Sequence, residues 1–313
     1  MDLATIRAGG KAALARALST IESAPDDPAV LSLLESAHAA AQAHVVGMTG
    51  PPGVGKSTLM NALIAEWRAS GRRVGCIAVD PSSRRSGGAL LGDRTRLATD
   101  PEDQDVFVRS MAARDRLGGL AELTVAAMVL MRALFDIVLI ETVGVGQSET
   151  DVAAIADSVL FCVQPGSGDA LQFMKAGIAE IPDLVVVTKA DMEEEAGRAR
   201  ADVEAALALA SDRIAGWTIP VLMVSAPSRD GIAALAAAID RHAAFLDQGA
   251  GRAERRHAQA EVWLVQAIRD RFGREGLRRA GRIDLPFGGS PFGRLAALAH
   301  ALSPPDTAPL SMT

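Results

Sequence analysis

Residues 44–58 read HVVGMTGPPGVGKST. A short run rich in β-branched residues enters a glycine-punctuated turn, and Gly50, Gly55, Lys56 and Ser57 satisfy the spacing G-x-x-x-x-G-K-[ST]. The residues that follow, LMNALIAEWRASG, continue as an amphipathic helix. Gly50, Gly53 and Gly55 let the loop backbone, with Val54 and on to Thr58, turn its N–H groups toward phosphate oxygens. The helix that begins there adds a dipole favouring anions. Lys56 is expected to reach the β- and γ-phosphates, and Ser57 to ligate Mg²⁺. A coincidental glycine turn is the poorer reading, because a strand precedes the loop and a helix follows it.

Outward from this loop the same alternation continues. Apolar runs recur at 44–49, 73–80, 105–110, 136–141, 158–163, 183–188 and 219–225, separated by longer helical stretches. Continuous apolar strands alternating with helices predict an α/β fold, a mostly parallel sheet with helices on both faces. Its functional loops should lie at the carboxyl ends of the strands. Before residue 44, KAALARALSTIE and AVLSLLESAHAAAQA show helical apolar spacing. After about 245 the strand runs stop, and EVWLVQAIRDRFG puts Leu264, Val265, Ile268 and Phe272 on one helical face, with Gly273 as a stop. GGSPFGRLAALAHAL suggests a further short helix. The expected organisation is a helical extension over 1–43, a nucleotide-binding domain over 44–245 and a second helical extension over 246–313 ending in a disordered tail.

At 313 residues the chain can bury a large core. Lys and Arg number 32 against 38 Asp and Glu, for a net charge of −6, and with no tyrosine and 4% aromatics a basic, stacking nucleic-acid surface is not expected. The N-terminus lacks the apolar core of a signal peptide, and the most apolar region, 123–140, is broken by Arg132 and Asp136, so no membrane span is expected. Cys76 and Cys162 sit in apolar runs, as reduced core residues of a cytoplasmic protein would. The histidines show no metal-ligand spacing.

A second stretch, IVLIETVGVGQ at 137–147, drives a buried strand straight into a carboxylate. Glu141 could be a cap beside a turn, but a parallel strand ending near the phosphate loop puts it where it can hold Mg²⁺ or a metal-bound water. Gly144 would bring its N–H to the γ-phosphate, and Gln147 is either a positioner of the attacking water or a loop hydrogen-bonder. Asp80, ending another strand, could hold a metal-bound water. It opens a long polar segment in which Asp93 and Thr95 join the site only if the loop closes, or else serve a solvated turn.

The base is read from DLVVVTKAD. Guanine presents two adjacent donors that a carboxylate at Asp191 can accept, whereas N1 of adenine is an acceptor. Lys189 can lay its methylenes over the purine, and Thr188 stands where the common motif has Asn, so its bracing of the loop is expected to be weaker. The backbone of Ser225 and Ala226, in VSAPSRDG, could meet the guanine carbonyl.

Taken together, GPPGVGKST, VDPSSRRSGGALLGDRTRL, IETVGVGQSE, QPGSGDALQFMKAGIAEIPDLVVVTKAD and WLVQAIRDRFG resemble the MeaB/ArgK-like family of P-loop GTPases over about residues 45–275. The resemblance implies a cytoplasmic homodimer that hydrolyses GTP to GDP with Mg²⁺, its C-terminal helices serving as a dimerisation arm. It implies as client an adenosylcobalamin-dependent acyl-CoA mutase, whose cofactor loading and protection the GTPase gates. By matching motif, Asp80, Asp93 and Glu141 would carry magnesium and switch roles beside Lys56. The segment 166–175, with Asp169 and Lys175, would be the switch that speaks to the mutase. Two other readings compete. One is an ATP-dependent kinase linked to amino-acid (LAO/AO) transport, which Asp191 speaks against. The other is a metal-insertion GTPase, which should carry a Cys/His cluster.

Overall fold

The computed structural model describes residues 1–81, 97, 99–113, 122–141, 152–166, 181–209, 216–249 and 251–303. Its sheet is made of β1 (His44–Thr49), β2 (Val74–Pro81), β3 (Val106–Ala113), β4 (Ile137–Glu141), β5 (Ser158–Val163), β6 (Leu184–Val187) and β7 (Val221–Met223). The strands run parallel in the order β3-β2-β4-β1-β5-β6-β7, and each falls on an apolar run expected from the sequence.

The runs are continuous rather than alternating because both faces are covered. On one face Val46, Met48, Cys76 and Leu139 pack beneath α4 (Lys56–Ala69) and α7 (Ile232–Leu246). On the other, Val45, Ile77, Val138 and Ile140 meet α5 (Glu122–Leu134). Over α5 lie the N-terminal helices α1 (Leu3–Ala8), α2 (Gly10–Ser23) and α3 (Pro28–Ala39). α3 starts where Asp27 accepts the Ala29 N–H at 2.7 Å and Pro28 supplies a fixed φ at the first helical position. A smaller cluster packs α6 (Glu193–Leu209) through Val203 against Phe161 and Val185.

The last described elements are α8 (Gly251–Ala280) and α9 (Pro291–Leu302), which join the same core as α3 and α5. Gly273 interrupts α8 with φ 68° and ψ −168°, so the expected stop is a break after which the helix resumes. The buried stripe is Trp263, Leu264, Ala267 and Ile268, whereas Val265 is only half-buried. Leu264, Ile268 and the partly buried Phe272 thus keep the expected face, and Trp263, packed on Phe292 of α9 at 5.1 Å between ring centres, stands on it in place of Val265.

At the amino ends of the strands, charge ties α8 to the sheet. Asp157 accepts the Val45 N–H and Asp183 the Val159 N–H, each at 2.8 Å. Arg256 grips Asp157 at 2.7 and 2.5 Å, and Arg255 grips Asp183 at 2.9 and 3.0 Å. Burial alone would raise the Asp157 carboxyl, but the hydrogen bonds and charge of Arg256 hold it well below the usual range.

Arg252 donates to Nδ1 of His44 at 2.8 Å. That leaves Nε2–H of His44 to donate to Ser158 Oγ at 2.7 Å, and Ser158 to donate to Nδ1 of His242 at 2.5 Å. A proton on Nδ1 of His44 would point into a guanidinium, and burial together with that charge pushes its pKa down to about 4.

In the unfolded chain His44 takes up its proton near 6.5, but in the fold only near 4, so the unfolded state binds more protons between those values. Stability is therefore expected to fall as pH drops through that window. Asp157, whose stabilising charge is lost only below its ordinary value near 3.8, does not contribute there. Urea midpoints measured from pH 7 to 4.5 should decline, and His44→Gln should flatten the decline; equal slopes for variant and wild type would show that His44 is not a source.

Candidate functional site

The phosphate loop hangs between the ends of β1 and β5. Gly50 adopts φ 138°, and a Cβ there would lie 2.4 Å from the Cys162 carbonyl oxygen, so only glycine lets the loop leave β1 this close to β5. Gly53 and Gly55 also take positive φ, and Gly55 caps α4. Lys56 is buried, its Nζ donating to the carbonyls of Gly50 at 2.7 Å and Pro51 at 3.1 Å. Thr58 is exposed in the first turn of α4.

Glu141 ends β4, which pairs with β1 so that Met48 faces Glu141. From there its carboxylate accepts the Ser57 hydroxyl, at 3.0 Å to Oε1 and 3.2 Å to Oε2. The contact unites the two sequence motifs across 84 positions, and its donor is a side-chain hydroxyl rather than a backbone N–H of the helix end. A hydroxyl and a carboxylate at a helix N-terminus are hard oxygen donors of the kind Mg²⁺ takes. Asp80 lies in the neighbouring strand, two positions beyond Ala78, the partner of Glu141. The side chain of Asp80, together with Asp93, Thr95, Gly144, Gln147, Asp169 and Lys175, lies outside the described residues.

On the other side of the loop, β6 delivers Thr188. Its hydroxyl lies 2.7 Å from the Val54 carbonyl and 3.0 Å from that of Val163, and its N–H donates to Val163 at 2.8 Å. One hydroxyl proton is shared between two acceptors, where an asparagine amide would offer two. The expected weakening therefore takes the form of a shared bond: threonine still ties the phosphate loop to β5.

Lys189 follows with φ 54°, its Nζ donating to Gln164 at 2.6 Å. Asp191 accepts the Ser225 hydroxyl through Oδ1 at 2.8 Å, leaving Oδ2 for other donors. Ser225 thus acts through its side chain, not only through the backbone proposed for it, with Ala226 half-buried beside it. Gln164 carried no sequence signal, because its role depends on two strands meeting. Burial pushes the Cys162 thiol up to about 12, and Cys76 is likewise buried and free. No helix among the described residues is long and apolar enough to cross a membrane.

A parallel sheet with this loop after its central strand, a glutamate at the adjacent strand end and an aspartate-bearing purine loop defines a P-loop GTPase. The profile of the family described as methylmalonyl-CoA mutase-associated GTPase MeaB matches residues 14–278, and the chain belongs to that family; it is a GTPase that binds GTP and GDP. A protein of Mycobacterium tuberculosis named as a probable GTPase is 43% identical over 85% of this chain and 81% of its own. The mouse protein named methylmalonic aciduria type A homolog, mitochondrial, is 39% identical over 72% of this chain and 55% of its own length. Among solved structures, one described as an LAO/AO transport system kinase superposes with TM-score 0.69 at 27% identity, covering 96% of both chains.

Gly50→Ala is expected to abolish nucleotide binding, since the clash is with backbone. Thr188→Val should cost about 1–2 kcal/mol by leaving the Val54 carbonyl short of a donor. Thr188→Asn should restore or exceed wild-type nucleotide affinity. Calorimetric GDP titration of the three variants checks the order; a Thr188→Val chain binding as wild type would remove the bracing role.

Proposed function

We propose that this GTPase is a regulatory chaperone of an adenosylcobalamin-dependent acyl-CoA mutase of the methylmalonyl-CoA type, gating cofactor loading and protection through GTP hydrolysis. Membership of a family described by that association carries the reading, supported by the mouse relative named for methylmalonic aciduria. The two free, buried cysteines agree with work in the cytoplasm. Val262 and Phe287, both 63% exposed on the C-terminal part, are apolar surface that a homodimer through these helices would cover.

In this reading Lys56 swings from the loop carbonyls to the β- and γ-phosphates of GTP, and the N–H groups of Gly53 to Thr58 hold the remaining oxygens. Mg²⁺, held by Ser57 with Glu141, Asp80 and, on closure, Asp93 around it, would supply neutralisation of charge on the transferring phosphoryl group. Gly144 meets the γ-phosphate. Asp191, steadied by Ser225, accepts the two guanine donors, with Lys189 along the purine face and Thr188 bracing the loop. Asp169 and Lys175 couple the site to the mutase.

The LAO/AO kinase neighbour keeps a second reading in play, in which ATP is the phosphoryl donor. Asp191 separates the two, because its carboxylate would face the N1 acceptor of adenine with like partial charge. Asp191→Asn should weaken GTP by about a hundredfold and admit xanthosine triphosphate. Wild-type protein that binds ATP as well as GTP in competition would overturn the guanine assignment. For the client, GTP turnover is expected to rise when saturating mutase is added, and Lys175→Ala should lose most of that rise while keeping basal turnover. No change in turnover and no co-elution with a methylmalonyl-CoA-type mutase would reject the chaperone reading.

A further inference from the structure

The last turns of α3 and α5, the end of α7, the start of α8 and the Gly288–Gly289 turn line a solvent-open cavity of about 420 Å³. It adjoins the amino ends of the strands: Arg252 and Arg256 line it and also bind His44 and Asp157 there. It is therefore a strand length, about 20 Å, from the phosphate loop at the carboxyl ends. His38, Arg132, Asp247 and His257 complete its polar lining.

The charges do not balance. Arg252 is paired to Asp247 at 2.6 and 2.9 Å, and Arg256 to Asp157 at 2.7 and 2.5 Å. Arg132 is 5% exposed, yet its guanidinium has no hydrogen-bond or ion-pair partner among the described residues, and its Nε is fully buried without an acceptor. The carboxylate whose field reaches it, Asp157, already receives two arginines and a strand N–H. The carbonyl ends of α3 and α5 offset part of that charge, but the Arg132 carbonyl itself is taken by the N–H groups of Gln42 and Ala43. The repulsion registers on the groups themselves: burial, Arg256 and Arg252 bring Arg132 down to about 10, and burial with Arg132 and Arg256 brings His38 to about 4. A buried cation without a partner is costly, and an anion bound from outside would offset that cost.

We propose that this cavity binds the phosphate or carboxylate group of a small anionic molecule, with Arg132 as its counter-ion. A guanidinium fork matches either oxyanion with two parallel hydrogen bonds. The volume lies within the range of small-molecule sites, so the rest of the ligand fits as well. Because α8 closes one wall and α3 and α5 the others, occupancy braces the C-terminal helices against the N-terminal ones. The site does not depend on which mutase is the client.

The test uses the full chain loaded with a non-hydrolysable GTP analogue, so that the phosphate loop is occupied. Inorganic phosphate and succinate are compared with chloride at equal ionic strength by thermal melting and calorimetric titration. Wild type is expected to melt several degrees higher in at least one oxyanion than in chloride. Arg132→Met should lose that shift, weaken the oxyanion by about tenfold or more, and melt above wild type in chloride, since it removes the lone cation. Arg132→Lys, which keeps the charge without the fork, should retain part of the shift. A stronger effect of phosphate assigns a phosphorylated ligand, and a stronger effect of succinate a carboxylate. An oxyanion response of wild type no larger than that of chloride overturns the site, as does an equal response in Arg132→Met. If Arg132→Met fails to fold, Arg132→Lys decides: phosphate stabilises folded proteins generally by exclusion from their surface, so an oxyanion shift in Arg132→Lys equal to that of wild type overturns the site.

Discussion

Met48 of β1 faces Glu141 of β4 on one side and Leu160 of β5 on the other. That double pairing is the constraint on which the site depends. With β1 between two parallel strands, everything leaving the carboxyl edge must share the space above it. The phosphate loop then has Glu141 at one flank and the Cys162 carbonyl at the other, close enough that Gly50 admits no side chain. Parallel register also settles how far each strand reaches, so a glutamate at the end of β4 meets the first turn of α4 and not the loop tip.

The two edges of the sheet use charge for opposite ends. At the carboxyl edge the polar groups are held by hydrogen bonds that a ligand can exchange: Lys56 on loop carbonyls, Ser57 on Glu141, Ser225 on Asp191. Each can be traded for a ligand atom at small cost, which suits a site that must bind and release a nucleotide. At the amino edge, Asp157 and Asp183 are each gripped by two-pronged arginine contacts and a strand N–H, and removing one partner would leave a buried charge. These contacts hold α8 to the starts of β5 and β6, and so tie the C-terminal helices to strands whose other ends carry the purine loop.

The strands and the main nucleotide groups were legible in the chain because their signals are local. A run such as SVLFCV needs no partner to announce a strand buried on both faces, and the spacing of Gly50, Gly55, Lys56 and Ser57 encodes a turn that backbone sterics alone demand. TKAD and IVLIE were readable for the same reason: a carboxylate after an apolar run has few other uses. The face of α8 was legible through Leu264, Ile268 and Phe272, but Trp263 escaped because it is placed by Phe292 of α9, a contact no period contains. Gln164 and the hydroxyl of Ser225 escaped for a like reason, since each acts on a residue from another strand.

By itself, then, the sequence determined the α/β class, the seven strands and the phosphate loop, and it singled out Asp191 as the proposed reader of the base, all of which rest on spacing within a few residues. Only the tertiary structure decided that Glu141 meets Ser57, that Thr188 ties the loop to β5, and that Asp157 and Asp183 receive α8 while Arg132 has no ion-pair partner among the described residues. Those facts depend on strand order and on which charges burial brings together. Hydrogen bonds and ion pairs act over a few ångströms in space, whatever the separation along the chain, and Ser57 and Glu141 stand 84 positions apart.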